Sequence, residues 1–230
     1  MRHDVLRERC ERLRAEHEAD RFHDECGVFG IWGHDEAAHI SYLGLYALQH
    51  RGQEACGIVA SNGHEHIAHR AQGLVADNFN EPTLRRLKGR HSIGHVRYST
   101  AGGSSIRNAQ PICATTDGGP VAIAHNGNRV NASASRKELE GRGAIFGSNA
   151  DSEVILHLLA RSREPSLEER LIDALSRVKG AVSLVMLTDE ALFRLQIEPE
   201  AYDGKAFGLA SRAQMLADIL ATQGHRVATA

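Results

Sequence analysis

The stretch Asp24–Gly33, DECGVFGIWG, places a cysteine at the first residue of the first apolar segment of the chain. Its apolar residues and glycines predict a buried strand. The 25 residues up to Glu25 contain six arginines and eight acidic residues, and they predict an exposed helix or a leader. Cleavage after Glu25 would give Cys26 a free α-amino group, whose pKa of about 7.7–8.0 suits a base for its own thiol. Alternatively, Cys26 is a small buried strand residue.

The composition is that of a soluble globular protein. Of the 230 residues, 42% are hydrophobic and 24% charged, with a formal net charge of −2. We therefore expect no nucleic-acid partner and no membrane partner. Without an apolar run of membrane-spanning length or a signal peptide, we expect a cytoplasmic protein. The four cysteines form no C-x-x-C pair, so we expect reduced thiols and neither a zinc nor an iron–sulfur site.

The hydrophobic pattern alternates between strand and helix signals. AAHISYLGLYALQHRG predicts a helix that ends at Gly52, and Asn62-Gly63 predicts the turn of a β-hairpin. On the hairpin, HEHIAH (residues 64–69) predicts exposed histidines rather than a metal site. SLEERLIDALSRVKG predicts an amphipathic helix, AVSLVMLT and ALFRLQI predict strands, and KAFGLAS and AQMLADILATQG predict a last strand and helix. These elements indicate an α+β layered sandwich.

Four further residues are candidates for binding an amino acid. Arg97 ends a predicted strand, where a guanidinium can hold a carboxylate through two hydrogen bonds. Asn126 and Gly127 fall in a predicted turn, where an amide and a backbone N–H can form an oxyanion hole. Asp151 at a helix start can accept from an ammonium group. Each also has a structural interpretation, as a surface ion pair, a hairpin turn and a helix cap respectively.

Several motifs occur together in one order and spacing: ECGVFGIWG, YLGLYALQHRGQEACGIVAS, GHVRYSTAG, NAQP, IAHNGN and SNADSEVILHLLARS. From Glu25 to Thr188 the chain thereby resembles the class II glutamine amidotransferases, and within them the glutaminase domains of the amidophosphoribosyltransferases. The resemblance implies an N-terminal-nucleophile hydrolase with a four-layer αββα sandwich. It also implies a propeptide at residues 1–25 and a glutaminase domain at residues 26–230.

The resemblance assigns the chemistry to particular residues. It makes Cys26 the nucleophile and its freed amine the base. Arg97 should hold the α-carboxylate of L-glutamine, and Asp151 its α-ammonium. Asn126 and Gly127 should form the oxyanion hole. The implied reaction releases ammonia and glutamate through a γ-glutamyl thioester, as the ammonia supply of purine biosynthesis.

Three more residues have supporting roles by the same resemblance. Tyr98 and Thr100 lie in the loop that closes over bound glutamine in this family. Arg51 of QHRG supports the nucleophile without contacting the substrate.

The chain also departs from the family pattern. The tail at residues 189–230 lacks the family's Arg-Asp-Pro loop, and no phosphoribosyl pyrophosphate loop occurs in the sequence. We therefore expect no cofactor in this chain, although relatives use Mg²⁺ in a phosphoribosyltransferase domain and some carry an iron–sulfur cluster. The expected partners are L-glutamine, a synthase or phosphoribosyltransferase subunit, and further copies of the chain in a homo-oligomer. The alternative is a catalytically idle, glutamine-binding regulatory partner or a truncated relic.

Overall fold

Two antiparallel sheets form the centre of the computed structural model, which describes residues 26–98, 105–129, 131–197 and 226–229. The first sheet has the strand order β3 (His66–Gln72), β2 (Ala55–Ser61), β4 (His91–Arg97), β1 (Gly27–Trp32) and β9 (Arg226–Thr229). The second sheet has the order β5 (Ile112–Thr116), β6 (Gly119–Arg129), β7 (Gly180–Thr188) and β8 (Leu192–Ile197).

Helices cover the outer face of each sheet. The first sheet packs against α1 (Ala37–Ala47) and the short helices α2 (Val75–Asn78) and α3 (Glu81–Arg86). The second sheet packs against α4 (Ala132–Gly141), α5 (Asp151–Arg161) and α6 (Leu167–Ser176). The predicted α+β architecture is confirmed as four layers, αββα. No helix in the described ranges is both long and apolar enough to cross a bilayer.

The space between the sheets is filled by small and medium apolar side chains. Val28 of β1 and Ile93 of β4 meet Ala122 and Ala124 of β6 there. Because side chains alternate across a strand, residues two or four positions along share that face. Cys26, His95, Arg97 and Asn126 therefore project into the same inter-sheet space, and the first sheet's register places Cys26 beside the end of β4.

The end of α1 differs from the sequence prediction. The helix stops at Ala47, and a separate one-turn 3₁₀ helix follows at Gln49–Arg51. Gly52 is the C-cap of that 3₁₀ helix, with its N–H donating to the Gln49 carbonyl oxygen at 3.2 Å and an extended φ of −160°, so the prediction of one helix running as far as Gly52 is wrong. A Cβ at Gly52 would lie only 2.6 Å from the carbonyl carbon of Arg97. The glycine is therefore required for close approach to the end of β4, not for a left-handed turn.

The hairpin is confirmed, but one of its histidines is not exposed. β2 and β3 pair along their whole length, and Gly63 in the turn has φ +87°. His66 is buried against the second sheet, with its side chain 4% exposed and its Nε2 3.7 Å from Asp189 Oδ1. The expectation of harmless exposure is wrong there, because β3 turns this face toward the β7–β8 connection. Among the described residues, no group of three potential metal ligands is assembled.

The outer helix α6 and the last two strands of the second sheet follow the sequence prediction. Ser166 and Glu169 form a reciprocal capping box at the start of α6. β7 and β8 pair as consecutive strands around Asp189-Glu190. The predicted leader at residues 1–25, the KAFGLAS strand and the AQMLADILATQG helix lie outside the described residues.

Candidate active site

Cys26 lies at the edge of β1, where its thiol contacts the backbone at the end of β4. Its Sγ accepts a hydrogen bond from the Tyr98 backbone N–H at 3.4 Å and lies 3.5 Å from the Tyr98 carbonyl oxygen. Both contacts join residues 72 positions apart in the chain. They exist because Gly27 pairs with Val96 in the antiparallel register of β1 and β4. The sulfur is thus held at a defined point of the inter-sheet space.

The surroundings keep this thiol protonated. Burial raises the pKa of Cys26, while the hydrogen bond from Tyr98 and the positive charge of Arg97 act in the opposite direction. The Glu54 carboxylate adds to the increase. A thiol must lose its proton to act as a nucleophile. Cys26 therefore needs a nearby base in order to react at neutral pH.

Arg97 is the last residue of β4, as predicted, and is half-buried. Its carbonyl oxygen accepts from the Glu54 N–H at 3.1 Å, which fixes the backbone there. The guanidinium forms no ion pair with a described residue, although its charge acts on the Cys26 thiol. A planar cation beside the sulfur is suited to binding a carboxylate.

Asn126 and Gly127 lie within β6 and not in a turn, so that part of the sequence prediction is wrong. β6 runs to Arg129, and Asn126 pairs with Ser183 of β7. The Asn126 side chain is buried on the inter-sheet face, and Gly127 has φ +140°. The strand continues because β7 supplies a paired partner as far as Gly180. A left-handed glycine inside a strand turns its peptide away from the regular pleat.

Asp151 is the first residue of α5, but it is not the helix cap. Ala150 occupies the N-cap position and has no side chain to cap with. Glu153 stabilises the preceding loop instead, and its two carboxylate oxygens accept from the backbone N–H groups of Gly147 at 2.7 Å and Ser148 at 2.8 Å. These bonds hold the loop and do not cap the helix, so the predicted capping role of Asp151 is wrong, and Asp151 is half-buried at the helix start.

The structure brings together Cys26, Arg97 and Tyr98 through the β1–β4 register. Arg51 closes the 3₁₀ helix directly before Gly52, and its supporting role stays a prediction. Tyr98 is 41% exposed and contributes backbone atoms to the thiol contact. Thr100 lies outside the described residues, so its role in a closing loop also stays a prediction.

Sequence reasoning missed three residues around this site. His95 of β4 is fully buried, and its Nε2 donates to the His125 carbonyl oxygen in the second sheet at 3.2 Å. Gln110, from the NAQP motif, is bonded to the same His125 peptide groups. Glu54 has a buried Oε2 without a hydrogen-bond partner among the described residues. All three lie inside the sequence motifs that carry the family resemblance, and this position was the available signal. Nothing in the local hydrophobic periodicity distinguishes them.

Comparisons with known proteins identify the family of this domain. A model of the glutamine amidotransferase domain matches residues 95–198, a range that includes the end of β4, all of β6 and α5, and does not extend to Cys26. The chain is 43% identical to the amidophosphoribosyltransferase of Bacillus subtilis (strain 168) over 195 residues, which are 84% of this chain and 41% of that protein. It is 50% identical to the amidophosphoribosyltransferase of Rhizobium etli over 172 residues, 74% of this chain and 35% of that protein.

A solved structure extends the similarity to the fold. The glutamine phosphoribosylpyrophosphate amidotransferase from B. subtilis, in complex with ADP and GMP, superposes with a TM-score of 0.70 at 44% identity. The match covers 74% of this chain and 37% of that chain. The chain thus spans about two fifths of the length of the relatives it matches.

Proposed function

Because the chain carries a class II glutamine amidotransferase domain related to those of the amidophosphoribosyltransferases, we propose that it hydrolyses the side-chain amide of L-glutamine with Cys26 as nucleophile. The observation that carries the proposal is the position of the Cys26 sulfur. It lies in the inter-sheet space, bonded to the Tyr98 backbone and next to the Arg97 cation. Asn126 projects into the same space from the opposite sheet.

The nucleophile needs activation, and we assign that to removal of residues 1–25. Hydrolysis of the Glu25–Cys26 peptide bond frees the α-amino group of Cys26. A free α-amine has a pKa of about 7.7–8.0, so near neutral pH it can take the thiol proton. Burial raises the thiol pKa, which makes the uncleaved chain a latent form.

The reaction then proceeds in two steps. The thiolate sulfur attacks the side-chain carbonyl carbon of glutamine, and the oxygen becomes negative as it accepts hydrogen bonds from the Asn126 amide and the Gly127 N–H. The ammonium of Cys26 returns its proton to the leaving nitrogen, so that the C–N bond breaks and ammonia leaves a γ-glutamyl thioester. Water attacks the thioester, its proton passes to the amine and then to the sulfur, and glutamate leaves.

Binding of the amino-acid end uses opposite charges. The Arg97 guanidinium holds the α-carboxylate, and the Asp151 carboxylate holds the α-ammonium. The name of the B. subtilis enzyme of known structure points to phosphoribosyl pyrophosphate as the acceptor of the ammonia, and a second solved relative is described as an enzyme of purine biosynthesis. We assign only the ammonia-releasing step to the described residues. Transfer of the ammonia to a phosphoribosyltransferase subunit or segment stays a prediction, and so does the formation of a homo-oligomer.

The test compares two cysteine variants of the purified chain. Cys26→Ala should produce no glutamate from L-glutamine above the uncatalysed rate and should retain the leader in its intact mass. Cys113→Ala is the matched control, because Cys113 is a free and exposed cysteine on β5, outside the site. It should hydrolyse glutamine at the wild-type rate. Equal glutamate production by Cys26→Ala and wild type would overturn the proposal, and a fully processed but inactive wild type would support the idle regulatory alternative.

A further inference from the structure

The pairing of β5 with β6 stops short of the proposed oxyanion residues. The register ends with Ile112 opposite Ile123, and the same register would place Gln110 opposite His125. The chain has left the sheet at that point, so backbone atoms of β5 do not bond to His125. The buried His125 N–H and C=O, immediately before Asn126 on this edge of β6, therefore take their hydrogen bonds from side chains, because leaving them unsatisfied would be costly.

The Gln110 side chain bonds to both of these backbone groups. Its Oε1 accepts from the His125 N–H at 2.8 Å, and its Nε2 donates to the His125 carbonyl oxygen at 3.3 Å. One acceptor and one donor facing a single residue reproduce the pattern of an antiparallel hydrogen-bonded pair. The primary amide thus substitutes for one residue of a strand and continues the sheet.

Two further contacts, one to the Gln110 amide and one to the His125 carbonyl, connect this pair with the rest of the site. Gln110 Oε1 also accepts from the Ser152 hydroxyl at 2.8 Å, and Ser152 is buried directly after Asp151 on α5. The second donor to the His125 carbonyl is His95 Nε2, two residues before Arg97 on β4. Burial lowers the pKa of His95 to about 3, so its imidazole is neutral at physiological pH. One peptide of β6 is thereby bonded to the elements that carry Arg97 and Asp151.

We propose that Gln110 is a positioning residue for glutamine hydrolysis, with Ser152 as its partner on α5 and His95 as the second donor to the His125 carbonyl oxygen. It holds the peptide before Asn126 and the start of α5 at a constant spacing, so that the oxyanion donor and the ammonium acceptor engage one substrate together. It does this without contacting the substrate. The inference rests on the proposed function, in which Asn126 is the oxyanion donor and Asp151 binds the α-ammonium of glutamine.

Gly57 of β2 provides the space for this arrangement. A Cβ at Gly57 would lie 2.3 Å from the Gln110 carbonyl oxygen and 3.1 Å from its carbonyl carbon. Backbone atoms cannot give way as a flexible side chain can. Gly57→Ala should therefore displace Gln110 from a position that contacts neither the substrate nor Cys26.

The main experiment separates kcat from KM in three variants. Gln110→Ala removes three hydrogen bonds and should lower kcat by about 10- to 100-fold while raising KM, since small misplacement of reacting groups has effects of this size. Ser152→Ala removes only the bond to α5. It should raise the KM for glutamine by roughly threefold or more, with kcat within about twofold of wild type, because only ground-state binding through Asp151 is loosened.

The matched control is Ser92→Ala in the same sandwich. Ser92 is fully buried, donates to the Ala37 carbonyl oxygen at 2.9 Å and bonds to the Ser41 hydroxyl. It lies five residues before Arg97 on β4, roughly 16 Å along the strand. Ser92→Ala should lower the melting temperature and leave kcat and KM unchanged. Gln110→Ala with kinetics as in Ser92→Ala would overturn the proposal, as would Ser152→Ala with reduced kcat and unchanged KM.

A second readout does not depend on turnover. Amide hydrogen exchange at residues 125–127 should accelerate in Gln110→Ala and in Gly57→Ala, and should stay at the wild-type rate in Ser92→Ala. Unchanged protection in Gln110→Ala overturns the positioning role whether or not the wild type hydrolyses glutamine. If the wild type fails to hydrolyse glutamine and exchange is nevertheless faster in Gln110→Ala, the proposed function is refuted. The structural role of Gln110 is then still supported.

Discussion

Strand β4 has a buried polar cluster at each end, and the two clusters differ in what they bond to. At the first end, Ser92 bonds to Ser41 and to the Ala37 carbonyl, while His91 accepts from the Gly33 N–H at 3.0 Å and stacks on Trp32. All of these partners belong to the first sheet, α1 and the connection between them. At the other end, His95 bonds across the sandwich to the second sheet.

The difference shows which cluster is available for chemistry. The Ser92 cluster is closed, since the polar atoms of Ser41 and Ser92 satisfy one another and the helix carbonyl. At the Arg97 end, polar side chains secure the backbone and leave the Cys26 sulfur, the Arg97 guanidinium and the Asn126 amide directed into the inter-sheet space. Variants at the Arg97 end should therefore change kinetics, whereas variants at the Ser92 end should change stability.

After the loss of activity expected for Cys26→Ala, the largest expected effect is at Asn126, whose side chain is the proposed oxyanion donor from the second sheet. Asn126→Ala should lower kcat by about 10²–10³-fold, or about 2.7–4 kcal/mol, because one oxyanion donor is lost. Asn126→Asp should be worse, since a carboxylate would face the developing negative charge. Steady-state glutamate production at saturating glutamine measures both, with thermal unfolding as the check on folding. Normal turnover in Asn126→Asp would make Asn126 a structural strand residue and remove the contrast between the two ends.

A smaller effect is expected at Arg97, the last residue of the strand under comparison. Arg97→Lys retains the charge but loses the planar pair of donors. The KM for glutamine should rise by about 10-fold, which corresponds to about 1.4 kcal/mol, with less effect on kcat. Asp151→Asn should behave in the same way because it removes the ammonium contact. An unchanged KM with reduced kcat in Arg97→Lys would place the guanidinium in the transition state rather than in ground-state binding.

The last prediction concerns stability rather than turnover, and it sharpens the comparison through pH. Because burial lowers the pKa of His95 to about 3, this side chain stays neutral in the folded protein over a pH range in which it is protonated in the unfolded chain. In the unfolded chain it takes up its proton below about pH 6.5. The free energy of unfolding should therefore fall as the pH drops from about 6.5 towards 3, by at most about 1.4 kcal/mol per unit from this histidine. His95→Gln should flatten the dependence, measured by denaturant unfolding between about pH 7 and 5.

His91 at the other end of the strand is the control for this measurement. Burial also lowers the pKa of His91, but this side chain is only half-buried. His91→Gln should flatten the curve less than His95→Gln does. If the free energy of unfolding changed with pH equally in wild type and in His95→Gln, the pKa of His95 would not be lowered in the folded protein.

Much of the fold followed from local patterns in the chain. The hairpin at Asn62-Gly63, the α6 capping box at Ser166 and the strands AVSLVMLT and ALFRLQI each have a short-range signal, and each is present. Arg97 at a strand end and Asp151 at a helix start were also predictable. The wrong predictions include one continuous helix up to Gly52, an exposed His66 and a turn at Asn126-Gly127, and they concern residues whose conformation or burial depends on distant strands.

By itself, then, the sequence predicted an α+β layered sandwich, because hydrophobic periodicity is a property of the chain alone. The resemblance of its motifs to the class II glutamine amidotransferases implied the αββα class and the residue types suited to glutamine, while cleavage of a charged leader before Cys26 stays a prediction. Only the tertiary structure decided that β6 continues through Asn126, since β7 pairs with it, and that the Gln110 amide takes the place of the strand that β5 no longer supplies. It also decided which of two buried polar clusters on one strand is closed and which is open. Those outcomes depend on contacts between residues far apart in sequence, such as the bonds of Cys26 to Tyr98 and of His95 to His125, for which no local pattern carries a signal.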